Sequence, residues 1–314
     1  MITFGPVPSR RLGKSLGINN IPYPKTCSYR CVYCQVGRTV KTSSAREDFY
    51  SPELIQQKVV IHLEKLKSDD HPDYLTFVSN GEPTLDRNLG EAVRLLKKTG
   101  IPVAVITNAS LLGNVSVRDD LKEADWVSVK MDAHDDKTWH RINRPVEGLN
   151  YDSVFEGISL FAGSYRGTLC TESMIVGGFN DSEENFSGLA ALIKKIRPAK
   201  AYLSIPTRPP SEKTVIPPDT EKLNVAWHIF SKMGIETEFL TGFEGTGTGY
   251  TGNIYEDILN ITAVHPLRED TMMKLLENDS TGYRVVEALI SQRLIKSISY
   301  GGNKYYIRDY HIKT

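Results

Sequence analysis

The sequence has few cysteines, no long apolar run and no excess of charge of either sign. Four cysteines in 314 residues are too few for a fold that depends on disulfides. No segment approaches the roughly 18 uninterrupted apolar residues of a membrane span, and the N-terminal segment lacks the apolar centre of a secretory signal. Lys plus Arg and Asp plus Glu both number 38, so no overall charge attracts nucleic acid or an anionic membrane. We therefore expect a soluble protein of the cytoplasm with no membrane partner.

The chain alternates short β-like segments with longer helical ones, which is the pattern of parallel strands joined by crossover helices. Strands are predicted at residues 15–19, 74–79, 103–107, 126–131, 168–176, 201–205 and 236–240. Helices with apolar residues spaced three and four apart are predicted at 52–66, 89–98, 117–123, 151–161, 182–196 and 220–233. The expected fold class is α/β, with residues 1–245 forming a partial parallel (β/α)6–7 barrel that resembles a TIM barrel.

A segment rich in glycine and threonine, residues 242–253, interrupts this alternation. It marks a domain boundary or, alternatively, forms a lid over the active site. Beyond it, three helices are predicted at 255–263, 268–277 and 281–292, followed by a hairpin at 294–300 and 304–310. Three helices and a two-stranded wing are typical of a winged helix, so residues 254–314, here called the tail, are predicted to form a small winged-helix-like domain. We expect the barrel to keep its chemistry without the tail.

Three of the four cysteines, Cys27, Cys31 and Cys34, lie in the spacing C-x₃-C-x₂-C. Three thiolates on one short loop can hold three corners of a cubane iron–sulfur cluster, and the lack of a fourth cysteine nearby leaves one iron open to a ligand. The alternative is a zinc site that adds a distant histidine, but structural zinc motifs usually pair two such knuckles. Cys170, in an apolar segment, is interpreted as a buried free thiol.

The cysteine loop follows a predicted strand and carries the aromatic Tyr33 before its last cysteine, and it resembles the defining motif of the radical S-adenosylmethionine (SAM) superfamily. The resemblance implies a [4Fe–4S] cluster on Cys27, Cys31 and Cys34, with SAM chelated to the open iron. It further implies one-electron cleavage of SAM to methionine and a 5′-deoxyadenosyl radical, which takes a hydrogen atom from the substrate. An electron donor such as a flavodoxin or ferredoxin is implied as a partner.

Polar residues at later strand ends fall where this fold would bind SAM. The segment from Ser79 to Glu82 resembles the superfamily's Gly-Gly-Glu loop, with Asn80 replacing the first glycine, and by that resemblance Glu82 and backbone carbonyls bind the SAM amino group. Lys130 and Asp132 are two apart on a strand and should face one cavity. The same resemblance implies that they hold the SAM carboxylate and ribose; an ordinary ion pair is the alternative. The residues assigned to SAM are Tyr33, Ser79, Asn80, Gly81, Glu82, Thr107, Asn108, Lys130 and Asp132.

Candidate substrate residues follow the later strands, because β/α barrels place their chemistry at the carboxyl ends of the strands. Glu172 alternates with apolar residues on the face that should line the barrel, so it is either a catalytic and substrate-binding group or a buried carboxylate tied to a neighbouring strand. Arg208 and Glu244 follow the sixth and seventh predicted strands and are further substrate-binding candidates.

Two further segments, FGPVPSRRLG at residues 4–13 and INRP at residues 142–145, resemble a narrower branch of the superfamily. That branch is related to wyosine-type tRNA-modifying proteins and includes queuine lyases. A small substrate, best represented by a queuine-like 7-deazapurine, is our leading hypothesis, because an enzyme acting on tRNA would be expected to carry basic stripes. The alternatives are tRNA base modification, with tRNA as a partner, and an iron–sulfur regulator whose winged helix binds DNA.

Overall fold

The computed structural model describes residues 2–310 and is built around one sheet of eight strands. These strands are β1 Thr3–Ser9, β2 Gly13–Ile18, β3 Tyr74–Phe77, β4 Val103–Thr107, β5 Trp126–Lys130, β6 Thr168–Met174, β7 Lys200–Ser204 and β8 Thr237–Leu240. They lie side by side in chain order. All neighbours from β2 to β8 are parallel, which is the arrangement of a partial β/α barrel and confirms the predicted fold class.

Within residues 2–310, seven α-helices connect these strands, and their apolar faces form one core with the sheet. They are α1 Pro52–Lys65, α2 Leu89–Lys97, α3 Val115–Lys122, α4 Asp136–Ile142, α5 Tyr151–Ser164, α6 Glu183–Ile196 and α7 Thr220–Lys232. All but α4 were predicted. This helix has only seven residues, too few for a periodic pattern. Its N-cap is Asp135, whose side chain accepts a hydrogen bond from the Thr138 amide.

Strand β1 was not predicted, because Pro6 and Pro8 within it cannot donate hydrogen bonds to a sheet. The strand lies at the edge of the sheet, where prolines are tolerated. It pairs antiparallel with β2, and the register shifts between Phe4 and Val7.

The tail contains α8 Ile254–Thr262, β9 Leu267–Arg268, α9 Glu269–Asn278, α10 Arg284–Ser291, β10 Ile295–Tyr300 and β11 Asn303–Arg308. Its strands form a separate sheet in the order β9-β11-β10. Three helices and a hairpin therefore occur in the predicted order. The division into domains at residues 245 and 254 stays a prediction.

The core of the tail is shared with the edge of the barrel. Phe4 and Val7 of β1 are buried in one cluster with tail residues such as Ile258, and Val78 packs against that cluster. The hydroxyl of Tyr305 also donates to the carbonyl of Thr207, at 2.9 Å. The tail thus completes the packing of the first strand, which argues against our expectation that the barrel is independent of it. Within residues 2–310, no helix has the length and apolar character needed to cross a membrane.

Candidate active site

The predicted site residues converge on one cavity of about 280 Å³ inside the barrel. All of them line it except Asn80 and Asp132. The cavity is closed partly by the tail, which contributes Val264 and His265. A second cavity of about 390 Å³ between the barrel and the tail shares Arg208, Glu244 and His265 with the first.

The cysteine loop is held by its backbone to two neighbouring segments. On one side, the amide of Val32 donates to the carbonyl of Ile142, at 3.0 Å. On the other, the amide of Glu82 donates to the carbonyl of Thr26, at 3.2 Å. A side chain at Gly81 would place its Cβ 1.8 Å from that carbonyl oxygen, and Gly81 has a φ of +150°. The glycine before Glu82 is therefore required for the close approach of this loop to the cysteines.

Each of the three sulfur atoms accepts a hydrogen bond. Asn108 Nδ2 lies 3.6 Å from Cys27 Sγ and Asn143 Nδ2 lies 3.4 Å from Cys31 Sγ. The ammonium of Lys25 lies 2.9 Å from Cys34 Sγ. Such donors favour thiolate over thiol and tune the sulfur ligands of clusters.

Burial raises the pKa of the Cys27 thiol to about 12 and also raises the pKa of the Cys31 thiol. A bound metal cation deprotonates such thiols outright. Among residues 2–310, no three His, Cys, Asp or Glu side chains are drawn together closely enough to hold one metal ion. A cubane takes one thiolate on each of three irons, so its three ligands need only face one pocket, as Cys27, Cys31 and Cys34 do. The residues fit the cluster.

Lys25 is the least expected member of this site, since nothing in the sequence distinguishes it from a surface lysine. It is buried, and its ammonium also donates to the carbonyl of Gly37, at 2.5 Å. A cation that donates to a ligand sulfur stabilises the reduced, more negative state of a cluster.

Replacing Lys25 by methionine is therefore expected to make the cluster harder to reduce. Loss of one hydrogen bond to a charged group is worth about 1.5 kcal/mol, which for one electron corresponds to about 60 mV. The measurement is a redox titration of the reconstituted protein followed by electron paramagnetic resonance. Lys41→Met is the matched control, because Lys41 pairs with Glu47 at the surface. A potential in Lys25→Met at or above that of the unmodified protein would contradict this role.

Glu82 lies in the cavity wall with its carboxylate already oriented. Oε1 accepts from the hydroxyls of Thr84 and Thr107, both at 2.6 Å, and Oε2 accepts from the amide of Asn108, at 2.8 Å. Burial raises the pKa of Glu82, and these donors act in the opposite direction. Glu82, Thr107 and Asn108, all of which were assigned to SAM from the sequence, therefore form one hydrogen-bonded unit.

Asp132 and Asn80 lie outside the cavity. Lys130 is the last residue of β5, so the alternation of side chains that placed Asp132 on the same face no longer holds beyond it. Asp132 instead accepts from the hydroxyl of Tyr33 and from Asn143 Nδ2, the latter at 2.7 Å, and so fastens the cysteine loop. Asn80 faces hollows on the outer side of that loop.

Glu172 lines the cavity as part of a buried ionic cluster. Its carboxylate pairs with the guanidinium of Arg11 and with the ammonium of Lys130, the latter at 2.9 Å, and accepts from the hydroxyl of Ser204 at 3.0 Å. Burial alone would raise the pKa of Glu172, but Arg11 and Lys130 outweigh it and hold the pKa well below its ordinary value. Glu172 is therefore both tied to a neighbouring strand and exposed to the cavity, and it is a fixed anion at neutral pH.

Arg208 and Glu244 form a second ion pair in the lining of the cavity. The guanidinium of Arg208 pairs with Glu244 Oε1 and donates to Gln35 Oε1, the latter at 2.6 Å. His265 Nε2 lies 3.2 Å from the same Glu244 oxygen. Burial would raise the pKa of the Glu244 carboxyl, but His265 and Arg208 hold it well below its ordinary value. His265 was not predicted as a site residue, because nothing in the amino-acid sequence indicates that the tail reaches the cavity.

The fold and the cavity define a radical SAM enzyme, and the comparisons with known proteins agree. The chain belongs to the radical SAM superfamily, whose sequence profile matches residues 21–193. It is 44% identical over 310 residues to the UPF0026 protein MJ1312 of Methanocaldococcus jannaschii, covering 98% of this chain and 96% of that one. Members of the superfamily use a [4Fe–4S] cluster and SAM, and this protein accordingly uses both.

Solved structures share the fold. A radical SAM methyltransferase from Sphaerobacter thermophilus has a TM-score of 0.54 at 15% identity, covering 80% of this chain and 69% of that one. SuiB of Streptococcus suis, in a crystal structure with SAM bound, has a TM-score of 0.52 at 12% identity, covering 70% of this chain and 48% of that one. Identities this low show the shared fold alone.

Proposed function

We propose that this enzyme acts as a lyase on a free small molecule with a guanine-like ring, a queuine-like 7-deazapurine. The observation that carries the proposal is the Arg208–Glu244 pair in the cavity that the cysteines also line. A guanine-like ring presents N–H donors beside a carbonyl acceptor. A carboxylate beside a guanidinium is the complementary pair, since the first accepts and the second donates.

Glu244 has acceptor capacity left for such a ligand. Among residues 2–310, its hydrogen-bonding and ionic contacts with Arg208 and His265 fall on Oε1. Oε2 of Glu244 can therefore accept hydrogen bonds from the N–H groups of the ring. A polar site that matches a substrate in this way discriminates strongly, because an unmatched ligand leaves buried polar groups unpaired.

The size of the cavity supports a free substrate over a tRNA base. Val264 and His265 of the tail form part of its wall, and its volume of about 280 Å³ is close to that of pockets for small molecules. A base within an RNA must be extruded from its stack while its phosphates stay at the protein surface. The chain as a whole has no excess of basic residues to hold those phosphates.

When bound, the cluster and SAM supply the hydrogen-abstracting chemistry. We assign Glu82 to the SAM ammonium and Lys130 to the SAM carboxylate, with Ser79, Gly81, Thr107 and Asn108 completing that wall. Glu172 faces the cavity beyond them and positions Lys130 and Arg11. Tyr33 and Asp132 support the cysteine loop. Because the loop needs reduced thiols, we place the protein in the cytoplasm.

The reaction is tested anaerobically with reconstituted enzyme, SAM, a reductant and queuine, followed by mass spectrometry. The expected result is consumption of queuine in step with formation of 5′-deoxyadenosine. No queuine-dependent 5′-deoxyadenosine would remove this substrate. A mass change in tRNA nucleosides under the same conditions would establish the wyosine-type alternative instead.

Glu244→Gln is expected to weaken queuine binding and spare SAM binding. The amide keeps the shape of the side chain but replaces the charged acceptor, and hydrogen bonds to charged groups are worth about 1.5–3 kcal/mol. That range corresponds to a rise in the Kd for queuine of roughly 10- to 150-fold. Calorimetric titrations with each ligand measure it. Glu238→Gln is the control, because Glu238 pairs with Lys200 away from the cavity. Unchanged queuine affinity in Glu244→Gln would refute the assignment.

A further inference from the structure

The cavity of about 390 Å³ between the barrel and the tail, here called the tail cavity, is larger than the one that holds the cysteines. Its volume lies within the range of small-molecule sites. Thr207 and Thr241, which follow β7 and β8, form part of its barrel side, and Tyr300 and Tyr305 form part of its tail side. Apart from its boundary with the active-site cavity, the chemistry proposed above leaves this space unused.

The two cavities meet at the pair that we assign to substrate recognition. Arg208, Glu244 and His265 line both of them. The three cluster cysteines line only the active-site cavity, and so do Glu82 and Lys130, which we assign to SAM. A ring held by Arg208 and Glu244 therefore lies at the junction of two spaces, of which only one holds the cofactors.

A guanine-like ring bound at this junction has two positions that point away from the pair. Its N–H and carbonyl groups lie on the six-membered ring. The side chain at carbon 7 and the nitrogen that carries the sugar of a nucleoside both lie on the five-membered ring. In the proposed function, the carbon-7 side chain enters the cavity that the cysteines line. The tail cavity is then the space available to a group on the nitrogen.

The charged groups in the tail cavity are already neutralised. Its lining contains two arginines and no lysine. Within residues 2–310, Arg208 pairs with Glu244 and Arg268 pairs with Asp270. A phosphate would have to compete with these carboxylates, whereas an uncharged group leaves both ion pairs intact. The lining therefore fits a neutral sugar better than a sugar phosphate.

Two uncharged polar side chains in the lining have unused hydrogen-bonding capacity. Thr248 is 3% exposed, and its hydroxyl has no partner among residues 2–310. The side-chain amide of Asn303 donates to the carbonyl of Gly301 at 3.1 Å, but its own carbonyl accepts no hydrogen bond from those residues. Sugar hydroxyls both donate and accept, so they suit either group.

The aromatic rings on the tail side are fixed to the barrel. The hydroxyl of Tyr300 donates to the carbonyl of Pro206 at 3.2 Å, and that of Tyr305 donates to the carbonyl of Thr207 at 2.9 Å. Because both hydroxyls are engaged, the rings contribute mainly apolar surface to the cavity. Apolar and aromatic walls with a few polar groups are typical of sites for small organic ligands.

We propose that the tail cavity binds the neutral sugar of a 7-deazapurine nucleoside, and that the preferred substrate is this nucleoside and not the free base. The sugar hydroxyls pair with Thr248 and Asn303, and the sugar carbons pack against Tyr300 and Tyr305. The free base binds at Arg208 and Glu244 alone, with lower affinity. This inference rests on the proposed 7-deazapurine function and specifies the form of its substrate.

The test compares Kd values for queuine, its ribonucleoside and the 5′-monophosphate of that nucleoside, measured by calorimetry on the reconstituted protein with SAM. Gly242→Trp should fill the tail cavity, because Gly242 lines only that cavity and a Cβ there meets no atom within 4 Å. Gly247→Trp is the matched control, since Gly247 is equally open and lines neither cavity. Asn303→Leu removes the polar group with little change of size. Melting curves verify that each variant is folded.

We expect the unmodified protein to bind the nucleoside at least about tenfold more tightly than queuine, and the monophosphate no more tightly than the nucleoside. Gly242→Trp should bring the ratio of the two affinities close to one, and Asn303→Leu should lower it by roughly two- to tenfold. Gly247→Trp should keep the full ratio.

Three results would overturn the inference and leave the 7-deazapurine function standing. They are equal affinities for queuine and the nucleoside in the unmodified protein, a full ratio in both Gly242→Trp and Asn303→Leu, and tighter binding of the monophosphate than of the nucleoside. If none of the three ligands binds the unmodified protein, the proposed function fails and this inference fails with it.

Discussion

Alanine at Cys27, Cys31 or Cys34 is expected to abolish both the brown colour of the reconstituted protein and all reductive cleavage of SAM. Each sulfur lies in the cavity wall with its own hydrogen-bond donor. The cluster has three thiolate ligands and no spare one, because the remaining cysteine, Cys170, is not part of the cavity lining. Iron content and 5′-deoxyadenosine formation after anaerobic reconstitution measure the effect.

Cys170→Ala is the matched control for these three variants. Cys170 is 2% exposed and packs in a separate apolar cluster with Trp126 and Tyr202. Burial raises the pKa of this thiol to about 11, as for an inert structural cysteine. The iron content of Cys170→Ala should equal that of the unmodified protein. Loss of iron there, or near-normal iron in any of the three loop variants, would disprove the ligand assignment.

Removal of the tail after Asn253 is expected to destabilise the barrel severely. It would expose Phe4 and Val7, which are 2% and 9% exposed with the tail in place, and the apolar side of Val78. Burial of one such side chain is worth about 1.5–3 kcal/mol. Several together approach the whole stability of a typical domain, about 5–15 kcal/mol. Circular dichroism melting and solubility of the truncated chain measure the loss.

Point variants separate a shared core from a general effect of shortening the chain. Ile258→Ala, in the core that α8 shares with β1, should lower the free energy of unfolding by about 2–5 kcal/mol. Met273→Ala, at an exposed position of α9, should change it by less than about 0.5 kcal/mol. A truncated chain that melts like the full one would show that the barrel is independent after all.

The elements that sequence could predict are those specified by local pattern. Apolar periodicity located β2 to β8 and six of the seven barrel helices, and the cysteine spacing located a loop whose three cysteines line one cavity. Edge strand β1 was not predicted because its two prolines cannot donate hydrogen bonds to a sheet. Helix α4 was not predicted because seven residues are too few for a periodic apolar pattern. Asp132 was misplaced in the cavity because the alternation of a strand was extended past its last residue.

The missed site residues depend on contacts between distant segments. Arg11 reaches Glu172 across 161 residues of sequence, and His265 enters the cavity from the tail. Lys25 has its role only because the loop folds back and buries its ammonium against Cys34. No local pattern distinguishes such residues from ordinary surface charges, so only the assembled fold identifies them.

The proposed function requires that the cavity bring a 7-deazapurine substrate to the SAM-derived radical. Queuine deuterated at its carbon-bound positions tests it directly, in a single anaerobic turnover with SAM and a reductant. Hydrogen abstraction from queuine predicts 5′-deoxyadenosine that is one mass unit heavier, with Glu244→Gln forming far less of it at low queuine concentration. Formation of 5′-deoxyadenosine with no deuterium, at the same rate with and without queuine, would contradict the proposed function.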